Sequence, residues 1–175
     1  MQVPNITNVS TLKRYGVKGP NAAKWLANHG VAVPAKANTW VLSGNAVVMR
    51  LGSTEFLIED QLIQGQADEK ICAKLEADTV RASGVYKVPR ADAAYILAGS
   101  GVLNLLSEVC ALDLRESALA ENDVLMTQVA GISATVLRQS INNETVYRIW
   151  CDGTYGVYMQ HILSEISQEL AGSSG

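Results

Sequence analysis

Two histidines, three cysteines and a few paired carboxylates are the residues of this 175-residue chain that could do acid–base, nucleophilic or metal chemistry. Their spacing argues against all three. His29 and His161 fall on separate predicted helices beside apolar stripes, whereas a metal centre or general base needs a converging carboxylate or second histidine. His29 is expected to pack at a helix end, and His161 to sit half-exposed on a helix face. Cys72, Cys110 and Cys151 form no CxxC pattern, and an odd number builds no disulfide framework, so they read as buried, reduced thiols. The pairs Glu59-Asp60 and Asp68-Glu69 flank or open a predicted helix, where negative charge complements the N-terminal dipole. Asp113 and Asp152 lie at element ends, where Asp caps and turns the chain. Gly99-Ser-Gly101 sits between a strand and a helix and could cradle an anion with its amides. A tight strand-to-helix turn demands small residues in any case, and the matching turn Gly19-Pro20-Asn21 loses a donor to proline. No phosphate-binding P-loop and no dinucleotide GxGxxG pattern is present. Tyr155 and Tyr158, near the start of the last predicted helix, remain as candidates for a partner interface, because exposed aromatic residues are enriched there.

The elements that must position these residues come from an internal repeat. Arg14-Tyr-Gly-Val-Lys-Gly-Pro-Asn-Ala-Ala-Lys-Trp-Leu26 aligns without a gap on Ala94-Tyr-Ile-Leu-Ala-Gly-Ser-Gly-Val-Leu-Asn-Leu-Leu106, an offset of 80 residues. Tyr15 falls on Tyr95, Gly19 on Gly99 and Leu26 on Leu106. Further on, Val48-Met49-Arg50 matches Val136-Leu137-Arg138, and Glu55-Phe-Leu-Ile58 matches Val146-Tyr-Arg-Ile149. In the first half, Leu12 to Lys18 reads as a strand and Gly19-Pro20 as the turn. A helix follows from about Asn21 to His29, with Ala22, Trp25, Leu26 and His29 on one stripe, and Gly30 caps it. Asn38 to Leu42, Ala46 to Leu51 and Glu55 to Glu59 are strands separated by turn residues, and Gln66 to Leu75 carries helical spacing. The second half restates the plan. Val80 to Val88 is extended, Ala93 to Ala98 is a strand and Gly101 to Val109 a helix. Val124 to Val129, Ile132 to Gln139 and Thr145 to Cys151 are strands. A last helix begins near Gly153, with Tyr158, Ile162, Ile166 and Leu170 at successive i+4 steps. The pattern predicts an α+β fold of two pseudo-repeated ferredoxin-like (split βαβ) halves with a largely antiparallel sheet. The halves, about 10–79 and 80–171, are expected to share one core in a single domain 1–175, with 172–175 as a flexible tail.

Composition narrows the function classes. Apolar residues make up 48% of the chain, net charge is −3, and the basic residues are scattered, which argues against a nucleic-acid surface. No run approaches the ~20 apolar residues of a membrane helix, and Met1 to Asn5 lacks a signal-peptide pattern. A cytoplasmic protein is expected.

Several segments carry a family resemblance. Arg50-Leu-Gly-Ser-Thr-Glu-Phe-Leu-Ile58 resembles the "LGPDEWLL" segment of sarcosine oxidase gamma subunits. Val85-Tyr-Lys-Val-Pro-Arg90 stands where that family has a "VDVSHR"-like strand. Tyr95-Ile-Leu-Ala-Gly99 resembles its "LxGP" turn, and Val109-Cys-Ala-Leu-Asp-Leu114 its "GCxLDL" stretch. Thr127 with Val136-Leu-Arg138 is similar to its "T…VxLxR" strand pair. The chain departs at Ser53-Thr-Glu-Phe56, at Val88-Pro-Arg90 and at Asp152-Gly-Thr-Tyr-Gly-Val-Tyr158, which leaves room for a homologue serving another amine oxidase. The resemblance places the chain in the aminomethyltransferase-like folate-binding fold group. It implies a non-catalytic gamma-type subunit of a heterotetramer that demethylates sarcosine oxidatively in one-carbon metabolism, packed on the large alpha subunit, with beta and delta subunits alongside. FAD, FMN and NAD would belong to the partners, and no cofactor is expected on this chain. The alternative is a stand-alone folate-binding module or one-carbon transfer protein taking tetrahydrofolate; an orphan scaffold is the third reading.

Overall fold

A computed structural model describes residues 3–61 and 70–172. The first part of the predicted helix from Gln66, the Asp68-Glu69 pair and residues 173–175 of the tail lie outside the described residues.

The first half contributes β2 (Arg14–Lys18), α1 (Ala22–Asn28), β3 (Thr39–Ser43), β4 (Ala46–Arg50), β5 (Glu55–Asp60) and α2 (Ile71–Ala77), after a short N-terminal strand β1 (Asn5–Asn8). The second half contributes β6 (Tyr86–Val88), β7 (Asp92–Ala98), α3 (Val102–Val109), β8 (Val124–Val129), β9 (Ile132–Ile141), β10 (Glu144–Asp152), a 3₁₀ turn (Gly153–Tyr155) and α4 (Gly156–Gly172). Two five-stranded sheets result, in the orders β3-β4-β5-β2-β6 and β8-β9-β10-β7-β1, with every pairing antiparallel. The chain falls into two compact units, one of Thr11–Arg90 and one of Met1–Ser10 with Ala91–Gly175.

The repeat is visible in the pairing. At the offset of 80, β2 lies on β7 and α1 on α3; the later matches, Val48 on Val136 and Glu55 on Val146, put β4 on β9 and β5 on β10, and the two strand orders are then the same. In the first unit, β2-α1-β4-β5-α2-β6 is a split β-α-β-β-α-β arrangement with β3 added at the edge. The second unit repeats it with one substitution. Its closing strand is β1, from the other end of the chain. Lys18 faces Tyr86 across β2 and β6, and the equivalent Ala98 faces Asn5 across β7 and β1. The strands that open the two halves are therefore exchanged. Each completes the sheet of the other half.

The sequence reading of Val80 to Val88 as extended survives only at Tyr86–Val88, because Ser83-Gly84 forms a turn with Gly84 at φ +69°. The strand β1 was not foreseen. Its sequence Asn-Ile-Thr-Asn offers one apolar residue, too little for an alternating pattern. Alternation works well elsewhere. Tyr15 and Val17 point into the first unit's core with Leu26, Val48, Phe56, Ile58, Ile71 and Leu75. Tyr95, Leu97, Leu105, Leu106, Val136, Ile149, Met159 and Leu163 fill the second. Each unit thus has its own cluster of buried apolar residues among those described. The last helix also rotates relative to the predicted stripe. Met159 and Leu163 are its deeply buried residues, Ile162, Ile166 and Leu170 border them, and Tyr158 faces outward.

Glycine placement follows from the strand-to-helix turns. Gly19 and Gly99, equivalent in the repeat, both adopt positive φ, +127° and +98°. A side chain on Gly19 would overlap the Gly84 carbonyl, so only glycine closes that turn.

Candidate functional site

Three regions bring polar or exposed side chains together. The first is a cavity of about 610 Å³ in the Thr11–Arg90 unit, lined among others by Lys13, Arg14, Asn45, Asp60, Lys70 and Cys72. Strand pairing builds it. Arg14 on β2 lies directly across from Glu59 on β5, and its Nε donates to the Glu59 carboxylate at 2.5 Å with both side chains almost fully buried. The next residue, Asp60, turns its carboxylate to the start of α2, where it accepts the Cys72 amide at 3.1 and 3.3 Å. Of the Glu59-Asp60 pair, Asp60 thus serves a helix N-terminus as expected, whereas Glu59 is taken by Arg14. The Asn45 side chain donates from Nδ2 to the Gln61 carbonyl at 2.5 Å. Its Oδ1 is buried without a donor.

Cys72 is the thiol of this cavity, and its surroundings silence it. Burial, then the neighbouring Asp60 charge, pushes its thiol well above the ordinary range. The thiol sits 3.4 Å from the Lys13 carbonyl and 3.6 Å from that of Ile58. A thiol held protonated by desolvation is not a nucleophile at neutral pH. Cys151 is pushed up by burial too, and all three cysteines are buried and unpaired by disulfides.

The histidines are accounted for locally. His29 caps the C-terminus of α1, with Nδ1 2.8 Å from the Trp25 carbonyl and Nε2 2.8 Å from the Asp78 carboxylate. Lys74 donates to the His29 carbonyl at 2.9 Å, joining the ends of α1 and α2. Asp78 is held below the usual carboxylate range, first by the Val80 amide and then by His29. Both ring nitrogens of His29 are thus engaged in a structural clasp. His161 stands more exposed than expected, with Glu165, one helical turn on, at 3.7 Å. No group of three or more His, Cys, Asp or Glu among the described residues is arranged to hold a metal ion.

The second region is an open cleft of about 630 Å³ beside the start of α4, with Asn8, Ser10, Asp92, Gln160, His161 and Ser164 on its walls. In the turn before α4, Asp152 accepts the Thr154 hydroxyl and amide at 2.6 and 2.8 Å, which fixes the 3₁₀ turn and lowers the Asp152 carboxyl. Asp113 plays a similar local role. The Arg115 guanidinium, then the Arg115 amide, holds its carboxyl down at about 2.

The third region adjoins the cleft. Tyr155 and Tyr158, singled out from the sequence, are each 47% exposed, and Val157 between them is 87% exposed. The structure brings them to one turn. The Tyr158 hydroxyl donates to the Ala130 carbonyl at 3.2 Å, tying that turn to the β8–β9 hairpin. Val157 was missed because a lone valine in a helix start carries no signal in one dimension. Tyr86, 59% exposed, departs from the expectation that most aromatic residues are core.

No family model and no curated protein matches the sequence. Solved structures do match in fold. A chain of heterotetrameric sarcosine oxidase from Corynebacterium sp. U-96, solved with pyrrole 2-carboxylate, superposes with a TM-score of 0.73 at 19% identity, over 95% of this chain and 84% of that one. The aminomethyltransferase T of the glycine cleavage system from Bartonella henselae superposes with a TM-score of 0.60 at 14% identity, over 91% of this chain but 45% of that one. The chain therefore spans less than half of the aminomethyltransferase and most of the sarcosine oxidase chain. No described helix is long and apolar enough to cross a membrane. The α+β architecture expected from the repeat and from the sarcosine oxidase gamma resemblance is the architecture present: two pseudo-repeated split-βαβ halves of the kind found in sarcosine oxidase and aminomethyltransferase.

Proposed function

We propose that this chain is a non-catalytic, gamma-type subunit of a sarcosine oxidase-like complex, packing on and stabilising a large alpha-type subunit that carries the chemistry. The observation that carries the reading is the extent of the match: 95% of this chain against 84% of a chain from a heterotetrameric oxidase, so the two are of similar length. The polar groups add support. Arg14, Glu59, Asp60, His29 and Asp113 are each engaged in local structural contacts, and the thiol of Cys72 is desolvated. The exposed turn of Tyr155, Val157 and Tyr158 supplies the apolar and aromatic surface that interfaces favour. FAD, FMN and NAD would reside in the partner subunits, and oxidative demethylation of sarcosine would be the activity of the whole. Co-expression with an affinity-tagged large flavin-bearing subunit of the sarcosine oxidase type tests this. Stoichiometric co-purification is expected, and recovery of the large subunit without this chain contradicts it.

A second reading, a folate-binding module, draws on one specific observation. The cavity in the Thr11–Arg90 unit lies within the roughly 300–1,000 Å³ of small-molecule sites. Lys13 and Lys70 would meet the carboxylates of tetrahydrofolate, and the undonated Asn45 Oδ1 would accept a ring N–H. Calorimetric titration decides it: no heat at millimolar tetrahydrofolate rejects this reading and leaves the first untouched.

A further inference from the structure

The two sheets have four edges, β1, β8, β3 and β6. Edge strands expose unpaired backbone groups, and proteins blunt them with shortness, charge or proline. β6 has three residues, includes Lys87 and runs into Pro89. β1 has four, mostly polar. On β3 Trp40 is buried, which leaves Leu42 as its one outward-pairing residue in the open. β8 is different. It has six residues, and no charged residue or proline occurs from Val124 to Leu137.

The hairpin fixes which way its backbone points. Val129 pairs with Ile132 across the two-residue turn Ala130-Gly131, whose φ values of +51° and +78° are those of a type I′ turn. Residues flanking such a turn exchange hydrogen bonds, and the pattern alternates from there. Val129, Thr127 and Leu125 therefore bond to β9, and Gln128 and Met126 aim their N–H and C=O groups away from it. Both are exposed, Met126 at 57%.

We propose that β8 pairs antiparallel with β8 of a second copy of this chain, about a twofold axis at Thr127. That register is self-complementary. Met126 meets Gln128 of the second copy and Gln128 meets its Met126, so the open groups form four backbone hydrogen bonds. Thr127 faces Thr127 of the second copy in a non-hydrogen-bonded pair, a favourable cross-strand combination. Leu125 faces Val129 of the second copy. Asp123, the nearest charge, falls opposite Gly131 of the second copy, so no like charges meet. Two five-stranded sheets become one of ten strands. Four hydrogen bonds and a short strand bury well under the ~1,200 Å² of a stable interface, so the dimer forms only at high protein concentration.

Analytical ultracentrifugation of the isolated chain from about 10 µM to 1 mM tests this, beside Met126→Pro and Met126→Lys. The wild-type mass is expected to rise from 18.7 kDa toward twice that value. Met126→Pro removes an outward N–H that β9 does not use, so it is expected to stay monomeric with an unchanged circular dichroism spectrum. Met126→Lys, which keeps the backbone donor, is expected to weaken dimerisation at least tenfold. A wild type that stays monomeric at 1 mM, or a folded Met126→Pro variant that still dimerises, overturns the proposal. A monomeric wild type whose binding to a large partner subunit is lost on Met126→Pro overturns it in favour of a partner's strand.

Discussion

Replacing Arg50 with methionine is expected to destabilise the protein far more than replacing its repeat counterpart Arg138. Arg50 ends β4, and its guanidinium reaches two loops at once. Nη1 donates to the carbonyls of Pro34 and Ala35 at 3.0 Å each, Nη2 to that of Ser53 at 2.6 Å, and Nε to that of Gly52 at 3.4 Å. The cation also lies 5.3 Å from the Phe56 ring centre. Hydrogen bonds from a charged donor contribute about 1.5–3 kcal/mol each when buried, and less where the acceptor can return to water. The Pro34 and Gly52 contacts are part-buried and the other two exposed, which puts Arg50→Met at about 2–4 kcal/mol. For a chain of this size that is a fall in melting temperature of roughly 5–15 °C. Arg50→Lys keeps the charge but not the planar fork and should lie between. Arg138 makes one contact, 2.5 Å to the largely exposed Glu116, and its Nε is buried without a partner. Its methionine variant should cost about 1 kcal/mol or less. Thermal unfolding measures the order, and hydrogen exchange should show residues 31–38 and 51–54 opening only in the Arg50 variants. Equal melting temperatures for Arg50→Met and wild type, or equal losses at Arg50 and Arg138, would refute the reasoning.

The buried Arg14–Glu59 pair gives a second expectation. Glu59→Ala strands a desolvated guanidinium and should cost about 3–5 kcal/mol in denaturant unfolding, more than the double variant Arg14→Met/Glu59→Leu. Gly19→Ala and Gly153→Ala, whose new methyls would overlap the carbonyls of Gly84 and Ala91, should each lose about 2 kcal/mol or more, whereas Gly52→Ala, with open space around it, should be near neutral in the same assay. Asp113 is lowered to about 2 by Arg115, so its contribution is fully present above the unfolded value near 4 and is lost as pH falls through 2. A carboxyl NMR titration should find that midpoint, moved upward in Arg115→Met; an unchanged midpoint in the variant would remove the assigned cause.

The fold was legible where periodicity and repetition agree. Tyr15 and Tyr95 occupy matching core positions, and the glycines at 19 and 99 take the same left-handed turn. The strand exchange was not legible: β1 is too short and polar to show alternation, and β6, though read as extended, pairs with a strand distant in sequence. Arg50 and Arg138 aligned perfectly yet do different work, since the loops they reach differ in length and composition. The polar cavity was hidden for a related reason: Arg14 and Glu59 meet through strand register, which a one-dimensional pattern does not fix. Tyr155 and Tyr158 are exposed as their place near a helix start suggested, although the i+4 spacing had also set Tyr158 on the stripe of Ile162, Ile166 and Leu170, from which the helix's rotation removes it.

Native mass spectrometry of this chain mixed with a large flavin-bearing subunit of the sarcosine oxidase type tests the proposed subunit role most directly. A complex carrying one copy of each, with the large subunit melting several degrees higher than alone, is the predicted result. Two separate species at tens of micromolar, with the large subunit's melting and sarcosine oxidation unaffected by this chain, would contradict it.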